Sequence, residues 1–291
     1  MQIVLHAGAH DTEEDRLFKT LLRNKDEFAQ RGVSIPGPGR YRPLLREMLG
    51  ALENAPASED AREILLDAIL DDEHADRVIL SHVYIFGPER ACLRDGELYA
   101  LAPIRMQLLT QLFQHDEITL FMAIRNPAAF LPTIYNASPQ TEMDSFLRGC
   151  DPLSIRWSDT LNSIREAAPR AHLTVWCFED MPLIWAQIVR EMAGLEHGEK
   201  IIGGFDLLSQ IMSVEGMKRF RAYLKSHPNM NDIQKYRVIS AFLDKFALQD
   251  AIEEELEAPG WTDELVEDMT AIYDDDVQRC ARIPGVQMIL P

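Results

Sequence analysis

Three histidines lie near the ends of apolar segments that are typical of buried strands. His6 and His10 flank a short loop after the first segment, and His82 directly follows the second. Histidine changes its protonation near neutral pH, so it is well suited to act as a general base. Parallel α/β sheets bind ligands at the carboxyl ends of their strands. The sequence therefore predicts His82, and after it His10, as catalytic bases, with hydrogen-bonded structural histidines as the alternative.

The first part of the chain has the layout of a phosphate-binding loop. A strand predicted over residues 2–5 is followed by a tight loop and by an amphipathic helix that begins near Thr12. Phosphate loops need glycine for close approach, free backbone N–H groups, a lysine and the positive end of a helix dipole. The loop of this chain contains one glycine, Gly8. A well-capped helix start with no ligand is the alternative interpretation.

A second motif follows the third predicted strand, over residues 118–124. It begins with Arg-Asn-Pro at Arg125 and continues to a hydroxyl side chain at Thr133 and an aromatic ring at Tyr135. The planar guanidinium of arginine makes two charge-assisted hydrogen bonds to a phosphate. This chemistry makes Arg125 suited to a phosphate ligand. The alternative is that Arg125 pairs with an acid and Pro127 only starts a helix.

The two motifs together resemble those of sulfotransferases that use 3′-phosphoadenosine-5′-phosphosulfate (PAPS). Bacterial members of that family typically read H-x-G-x-H/P-K-T-G-T-T-x-L in the first motif, which this chain matches at His6, Gly8, His10, Thr12 and Leu17. The family also carries R-[DN]-P with a serine eight residues after the arginine, where this chain has Thr133. Weaker similarity in order and spacing extends over residues 172–181, 186–195 and 262–276.

The resemblance implies a P-loop nucleotide-hydrolase-like fold and a site for PAPS or its desulfated product PAP. In the family, the residues matching Arg125 and Thr133 bind the 3′-phosphate, and the loop from Gly8 to Thr12 would lie against the 5′ end. The implied reaction is the transfer of a sulfuryl group to a hydroxyl or amine of a carbohydrate or small molecule, with a histidine as the base.

The first motif departs from the family pattern at positions that would contact the phosphosulfate. Asp11 replaces the lysine, Glu13 replaces the glycine, and Glu14 and Asp15 replace the two threonines. Two like charges about 4 Å apart repel by about 1 kcal/mol in bulk water and by about 4 kcal/mol at an effective dielectric of 20. We therefore predict weak or absent PAPS binding. A non-catalytic sulfotransferase-like protein with a binding or regulatory role is the alternative function.

A metal-dependent hydrolase is a third interpretation of the first motif. The side chains of His6, His10, Asp11 and Glu14 carry atoms that are suitable metal ligands. Their spacing matches no established metal motif, so no metal is predicted. The four scattered cysteines have no C-x-x-C spacing, and they indicate neither a zinc ribbon nor a disulfide framework.

The amino-acid composition argues against two classes of binding partner. Asp and Glu outnumber Lys and Arg by 47 to 29, which gives a formal net charge of −18. Nucleic acids and anionic membranes attract positive surfaces, so neither is an expected partner, although the charge is compatible with a local basic pocket. No apolar run of about 18 residues predicts a transmembrane helix. The N-terminus lacks the basic region of a signal peptide, and a reduced, cytoplasmic protein is expected.

The elements that must position these residues alternate between apolar runs and amphipathic helices. Strands are predicted over residues 2–5, 77–81, 118–124 and 172–178. Such alternation favours an α/β fold with a mostly parallel sheet flanked by helices. The chain, 1–291, is predicted as a single domain whose C-terminal part, about 205–285, is helical. Its helices are predicted near 212–226, 231–256 and 262–281. The acidic runs at 253–255 and 274–276 are interpreted as solvated helix faces.

Overall fold

A parallel sheet is the centre of the structure, a computed structural model that describes residues 1–13, 15–70, 75–140, 142–252 and 258–291. The strands of the described residues are β1 (Gln2–His6), β2 (Val33–Ser34), β3 (Arg77–Ser81), β4 (Leu93–Arg94), β5 (Glu97–Leu98), β6 (Glu117–Ile124), β7 (His172–Cys177) and β8 (Val286–Ile289). Six of them pair in the order β2-β3-β1-β6-β7-β8, all in parallel. β4 and β5 form a separate antiparallel hairpin. The predicted α/β class with a mostly parallel sheet is confirmed.

The strands are connected and covered by α-helices. In the described residues these are α1 (Arg16–Arg23), α2 (Lys25–Ala29), α3 (Pro38–Leu52), α4 (Ala61–Ile69), α5 (Ala102–Leu112), α6 (Pro127–Ala137), α7 (Met143–Leu147), α8 (Trp157–Ala167), α9 (Met181–Ala193), α10 (Asp206–Ile211), α11 (Val214–Ser226), α12 (Asp232–Phe246), α13 (Gln249–Ile252) and α14 (Asp263–Cys280). Proline lies in the first turn of α5, α6 and α9, because its missing N–H is not needed there.

Both faces of the sheet are buried, which is why its strands are continuous apolar runs in the sequence. In β1, Ile3 and Leu5 belong to one core cluster, whereas Val4 belongs to the cluster on the opposite face. β3 repeats this alternation, with Ile79 on the face of Val4. The period of two keeps each set of side chains on its own face and fixes the register between neighbouring strands.

Two helical layers cover these faces. The layer that packs with Ile3 and Leu5 includes α3, α4, α5, α6, α8 and α14, and the opposite layer includes α1, α2 and α9. Phe130 in the first layer and Phe28 in the second are almost fully buried. Burial of each such side chain contributes about 1.5–3 kcal/mol to folding. The loops that leave the carboxyl ends of β1, β3 and β6 are therefore held between two rigid layers.

The C-terminal part is helical, as predicted, and builds a further cluster of its own. α10, α11 and α12 enclose Leu208, Phe220 and Ile239. The helix predicted over 231–256 is wrong in its extent, because α12 ends at Phe246 and the chain then pairs with the segment after α10 through an Ala247–Met212 bridge. The acidic run at 253–255 lies outside the described residues. α14 returns to the main layer and leads into β8 at the edge of the sheet.

The four strands predicted from sequence all lie in the sheet, but four short strands were not predicted: β2 and β8 in the sheet, and β4 and β5 in the hairpin. β2 pairs only two residues with β3, and β8 is four residues long. Segments of this length are too short to show a strand period. No helix in the described part of the chain is long and apolar enough to span a lipid bilayer.

The prediction that the acidic run at 274–276 is a solvated helix face is wrong for Asp276. Asp274 and Asp275 are exposed, but Asp276 is only 2% exposed. One of its carboxylate oxygens accepts hydrogen bonds from the backbone N–H groups of Trp157 at 2.7 Å and Ser158 at 3.1 Å, and the other accepts from the Ser158 hydroxyl. These are the first two amides of α8, so Asp276 of α14 acts as the cap of another helix.

Replacing Asp276 should destabilise the protein strongly. Asp276→Ala leaves two buried amides and a hydroxyl without an acceptor, and each such loss costs about 1–3 kcal/mol. We expect the free energy of unfolding, measured by urea denaturation, to fall by about 3 kcal/mol or more. Asp275→Ala is the matched control and should change it by less than about 0.5 kcal/mol. Equal effects of the two substitutions would show that the capping contacts are not made.

Candidate functional site

The candidate site lies at the carboxyl ends of β1 and β3, the two strands that pair side by side near the middle of the sheet. His6 is the last residue of β1, and it pairs in register with Ser81 at the end of β3. His82 follows immediately, and its backbone N–H donates to the His6 carbonyl at 2.8 Å. His10 lies in the loop after β1. The structure therefore places all three histidines of the sequence analysis at one edge of the sheet.

The loop after β1 continues to pair with β6 beyond the end of the strand. The Ala7 N–H donates to the Phe121 carbonyl at 3.1 Å, and the Ala9 N–H donates to the Ala123 carbonyl at 3.1 Å. Between them, the Ala123 N–H donates to the Gly8 carbonyl at 2.7 Å. The amides of Ala7 and Ala9 are thus bonded to the sheet and not to a ligand.

His10 contacts the two residues that flank the β4–β5 hairpin, Cys92 and Tyr99. Its backbone N–H donates to the Tyr99 hydroxyl at 2.8 Å, and its Nδ1 lies 2.9 Å from the same oxygen and 3.2 Å from Cys92 Sγ. The imidazole stacks on the Tyr99 ring. Burial lowers the pKa of His10 to about 4, so the ring is neutral at physiological pH.

Gly8 and Thr12 shape the loop from within. Gly8 has a φ of +107°, and a Cβ there would lie 3.1 Å from the His10 backbone nitrogen, so the position favours glycine. The buried Thr12 hydroxyl donates to the Ala9 carbonyl at 2.7 Å. This bond closes a turn, and the prediction of a helix that begins near Thr12 is wrong: α1 begins at Arg16.

Glu13 occupies the amides of the first helical turn. Its Oε2 accepts the Leu17 N–H at 2.8 Å, and its carboxylate also accepts from the Asp15 backbone. The expected competition of carboxylates for these amides is therefore present at Glu13. Burial raises the pKa of Glu13 to about 7, and its Oε1 lies 4.0 Å from Nδ1 of His6, whose pKa burial lowers to about 4. Glu14 lies outside the described residues.

Arg125 connects the second motif to the first. Its Nη1 donates to the Asp11 carbonyl at 2.8 Å, and its guanidinium lies over the Phe178 ring at 4.7 Å. The Arg125 carbonyl accepts the indole N–H of Trp157 at 2.8 Å. Arg125 is only 6% exposed. It is therefore a largely buried residue that ties the loop after β6 to the loop after β1.

Thr133 lies inside α6, the helix that follows Arg125. Its hydroxyl donates to the Ala129 carbonyl at 2.9 Å, one turn back along the helix, and its side chain is half-buried. Asn126 caps the same helix by accepting the Ala128 N–H at 3.0 Å. The joint use of Arg125 and Thr133 for one phosphate stays a prediction.

The described residues contain no group of three His, Cys, Asp or Glu side chains arranged to hold a metal ion. The Nδ1 atom of His6 lies 2.9 Å from the Ser81 hydroxyl, and that of His10 lies at hydrogen-bond distance from Tyr99. These contacts orient the rings toward protein partners. The fourth residue of the metal interpretation, Glu14, lies outside the described residues.

A cavity of about 530 Å³ opens beside His82. We call it the arginine cavity, and its charged and polar lining comprises Arg42, Arg46, His82, Tyr84, Arg90 and Arg105. These side chains come from α3, the segment after β3 and α5. Sequence analysis did not identify this group. The only signal was the spacing of Arg42 and Arg46, which places both on one face of a helix.

His82 borders the cavity with one ring nitrogen unsatisfied. The residue is 9% exposed, and its Nδ1 is buried without a hydrogen-bond partner in the described structure. Burial, followed by the positive charges of Arg42 and Arg46, lowers the pKa of His82 to about 4. Its ring meets the Tyr84 ring edge-on, with centroids 5.8 Å apart.

The buried Glu13 carboxyl should make the free energy of unfolding depend on pH, and Glu13→Gln should remove that dependence. Between pH 4.5 and 7, the unfolded chain has released the Glu13 proton while the folded chain still holds it, so the free energy of unfolding falls as pH rises. Glu13→Gln keeps an acceptor for Leu17 and removes the ionisation. From pH 5 to pH 8, we expect E13Q to gain about 2.5 kcal/mol relative to the native protein.

The measurement is urea denaturation of both proteins across this pH range. The control is Glu267→Gln, which changes an exposed carboxylate on α14. Its stability difference from the native protein should vary by less than about 0.5 kcal/mol. A difference between E13Q and the native protein that is the same at pH 5 and pH 8 would contradict the burial of Glu13.

Comparison with known proteins assigns the chain to no family. The chain matches no protein-family model, and it shows no significant similarity to a curated protein. The relevant observations are therefore those of the chain itself: a first motif after β1, a second motif after β6, and the contact between them through Arg125 and Asp11.

Proposed function

We propose that the chain is a sulfotransferase-like binding protein that does not transfer sulfuryl groups. The observation that carries this proposal is the use of the loop amides after β1. Ala7 and Ala9 donate to β6 carbonyls, and His10 donates to Tyr99. A phosphosulfate bound at such a loop depends on backbone N–H groups that face the ligand. Here the amides of Ala7, Ala9 and His10 are already bonded within the protein.

The charges of the loop support the same proposal. Asp11 stands where the related enzymes have a lysine, and Glu13 fills the place of a glycine. The Glu13 carboxylate accepts the Leu17 N–H at 2.8 Å, an amide of the helix start that would otherwise face an anion. Binding the phosphosulfate would require moving a buried side chain and placing an anion beside Asp11, and both steps cost free energy.

The histidines support the proposal as well. Efficient general bases have pKa values near the operating pH. Burial lowers the pKa values of His82 and His10 to about 4, which makes each a weak proton acceptor for an acceptor hydroxyl. The contacts of His10 with Tyr99 and Cys92 further occupy its Nδ1 side. Neither histidine therefore has the near-neutral pKa of an efficient general base.

Active sulfuryl transfer from PAPS is the second candidate function. One observation favours it: the Arg-Asn-Pro motif follows β6, and Arg125 contacts the loop after β1 through the Asp11 carbonyl at 2.8 Å. In that case Arg125 and Thr133 would hold the 3′-phosphate, Gly8 and Thr12 would lie near the 5′ end, and a small molecule or carbohydrate would be the acceptor.

Calorimetric titration with PAP distinguishes the two functions. We expect the native protein to bind PAP more weakly than about 1 mM, equivalent to about −4 kcal/mol. Asp11→Lys alone should not restore binding, because Glu13 still holds the first-turn amides. Asp275→Lys is a control with the same change of charge on exposed residue 275. Native binding in the micromolar range, about −8 kcal/mol, would favour the active enzyme.

A restored loop provides the positive arm of this experiment. The combined substitutions D11K, E13G, E14T and D15T reinstate the family residues, with position 14 outside the described structure. We expect this variant to bind PAP at least about tenfold more tightly than the native protein. Adding Arg125→Gln to the restored variant should abolish the gain. A gain that is independent of Arg125 would exclude the second motif from the nucleotide site.

A further inference from the structure

The arginine cavity concentrates positive charge in a chain whose formal net charge is −18. Its lining contains four arginines and no Asp or Glu side chain. Arg42 is paired with Asp15 at 2.7 Å, and Arg105 is paired with Glu53 at 2.8 Å. Two of the four positive charges are thus compensated by carboxylates outside the lining.

The other two arginines keep their charge available to the cavity. Arg46 of α3 and Arg90 of the short helical turn after β3 are exposed. Within the described residues, neither has a carboxylate in salt-bridge contact. Glu89, next to Arg90, accepts a hydrogen bond from the Tyr84 hydroxyl at 3.3 Å at the edge of the group. An excess of positive charge in a concave site attracts anions from solution.

Buried polar atoms beside the cavity are a second, independent observation. Nδ1 of His82 and Nε of Arg105 are both buried without a hydrogen-bond partner among the described residues. His82 is more than nine-tenths buried and lines the cavity. An unsatisfied buried polar group costs about 1–3 kcal/mol, so a ligand with oxygen atoms at this position would relieve the cost. A neutral imidazole can then donate to, or accept from, that ligand.

The size and walls of the cavity limit the class of ligand. A volume of about 530 Å³ fits an organic molecule and is much larger than an inorganic anion needs. Leu49 and Ile85 give it apolar walls beside the arginines. The planar guanidinium of arginine donates two hydrogen bonds to two oxygens of a phosphate, sulfate or carboxylate group. We propose that the arginine cavity binds a small organic molecule that carries two or more such anionic groups.

This inference goes beyond the proposed function, because the four arginines that carry it belong to neither nucleotide motif. The nucleotide motifs lie on the loops after β1 and β6, whereas the cavity is lined by α3, α5 and the segment after β3. Two residues link the regions: Arg42 also contacts Asp15, and His82 is both part of the cavity lining and the candidate base. PAP itself carries two phosphate groups, so PAP binding that Arg90→Gln removes is assigned to the cavity, and PAP binding that Arg125→Gln removes is assigned to the nucleotide motifs.

The test is calorimetric titration of the full chain at pH 7.5 and 0.15 M salt with two probes. Fructose 1,6-bisphosphate represents phosphate groups and citrate represents carboxylates. We expect saturable binding of at least one probe with a Kd below about 1 mM, and no binding of neutral fructose. Binding of neither probe would overturn the proposal.

Three substitutions locate any binding that is seen. Arg46→Gln and Arg90→Gln should each weaken binding of the probe at least about tenfold, because each removes a positive charge from the lining of the cavity. Both residues are exposed, so the fold should be retained. The matched control is Arg221→Gln on α11, which removes one exposed positive charge elsewhere. Equal weakening by all three substitutions, or by none, would overturn the proposal.

Discussion

Backbone pairing between β6 and the loop after β1 is the constraint on which this edge of the sheet depends. Because Ala7 and Ala9 donate to β6 carbonyls, the loop follows the sheet beyond the end of the strand. The next amide, at His10, donates to Tyr99. The loop side chains are thereby drawn into the core, where His10 and Glu13 are 2% and 1% exposed. The amides of Ala7, Ala9 and His10 are thus directed at protein acceptors and not at a bound anion.

Burial then sets the charges at this edge. It lowers the pKa values of the three histidines to about 4 and raises that of Glu13 to about 7, so the interior carries fewer charges at neutral pH than the sequence suggests. The charge that remains is arranged around Arg42. Its Nη2 pairs with Asp15 of the loop, and its Nε donates to the Ser81 carbonyl at 3.0 Å. Arg42 thus joins the acidic loop to the basic cavity.

Much of the fold was predictable because strands that are buried on both faces are continuous apolar runs in the sequence. Proline also marks the first turn of α5, α6 and α9. The local structure after β1 was not. Its acids suggested a helix from Thr12, but the Thr12 hydroxyl closes a turn on Ala9 and the helix starts later, at Arg16. The burial of Asp276 was also hidden, since its acceptor role depends on α8, which is distant in sequence. The arginine cavity combines side chains from α3, α5 and the segment after β3. Beyond the spacing of Arg42 and Arg46, no local sequence pattern predicts such a group.

Hydrogen exchange at the loop amides, measured by NMR, tests the central claim most directly. The claim is that the amides of Ala7, Ala9 and His10 are bonded within the protein. The account predicts that all three exchange slowly in the protein alone and that an excess of PAP leaves their rates unchanged. Fast exchange without PAP, followed by protection when PAP is added, would show that the loop is an open anion site and would contradict the account.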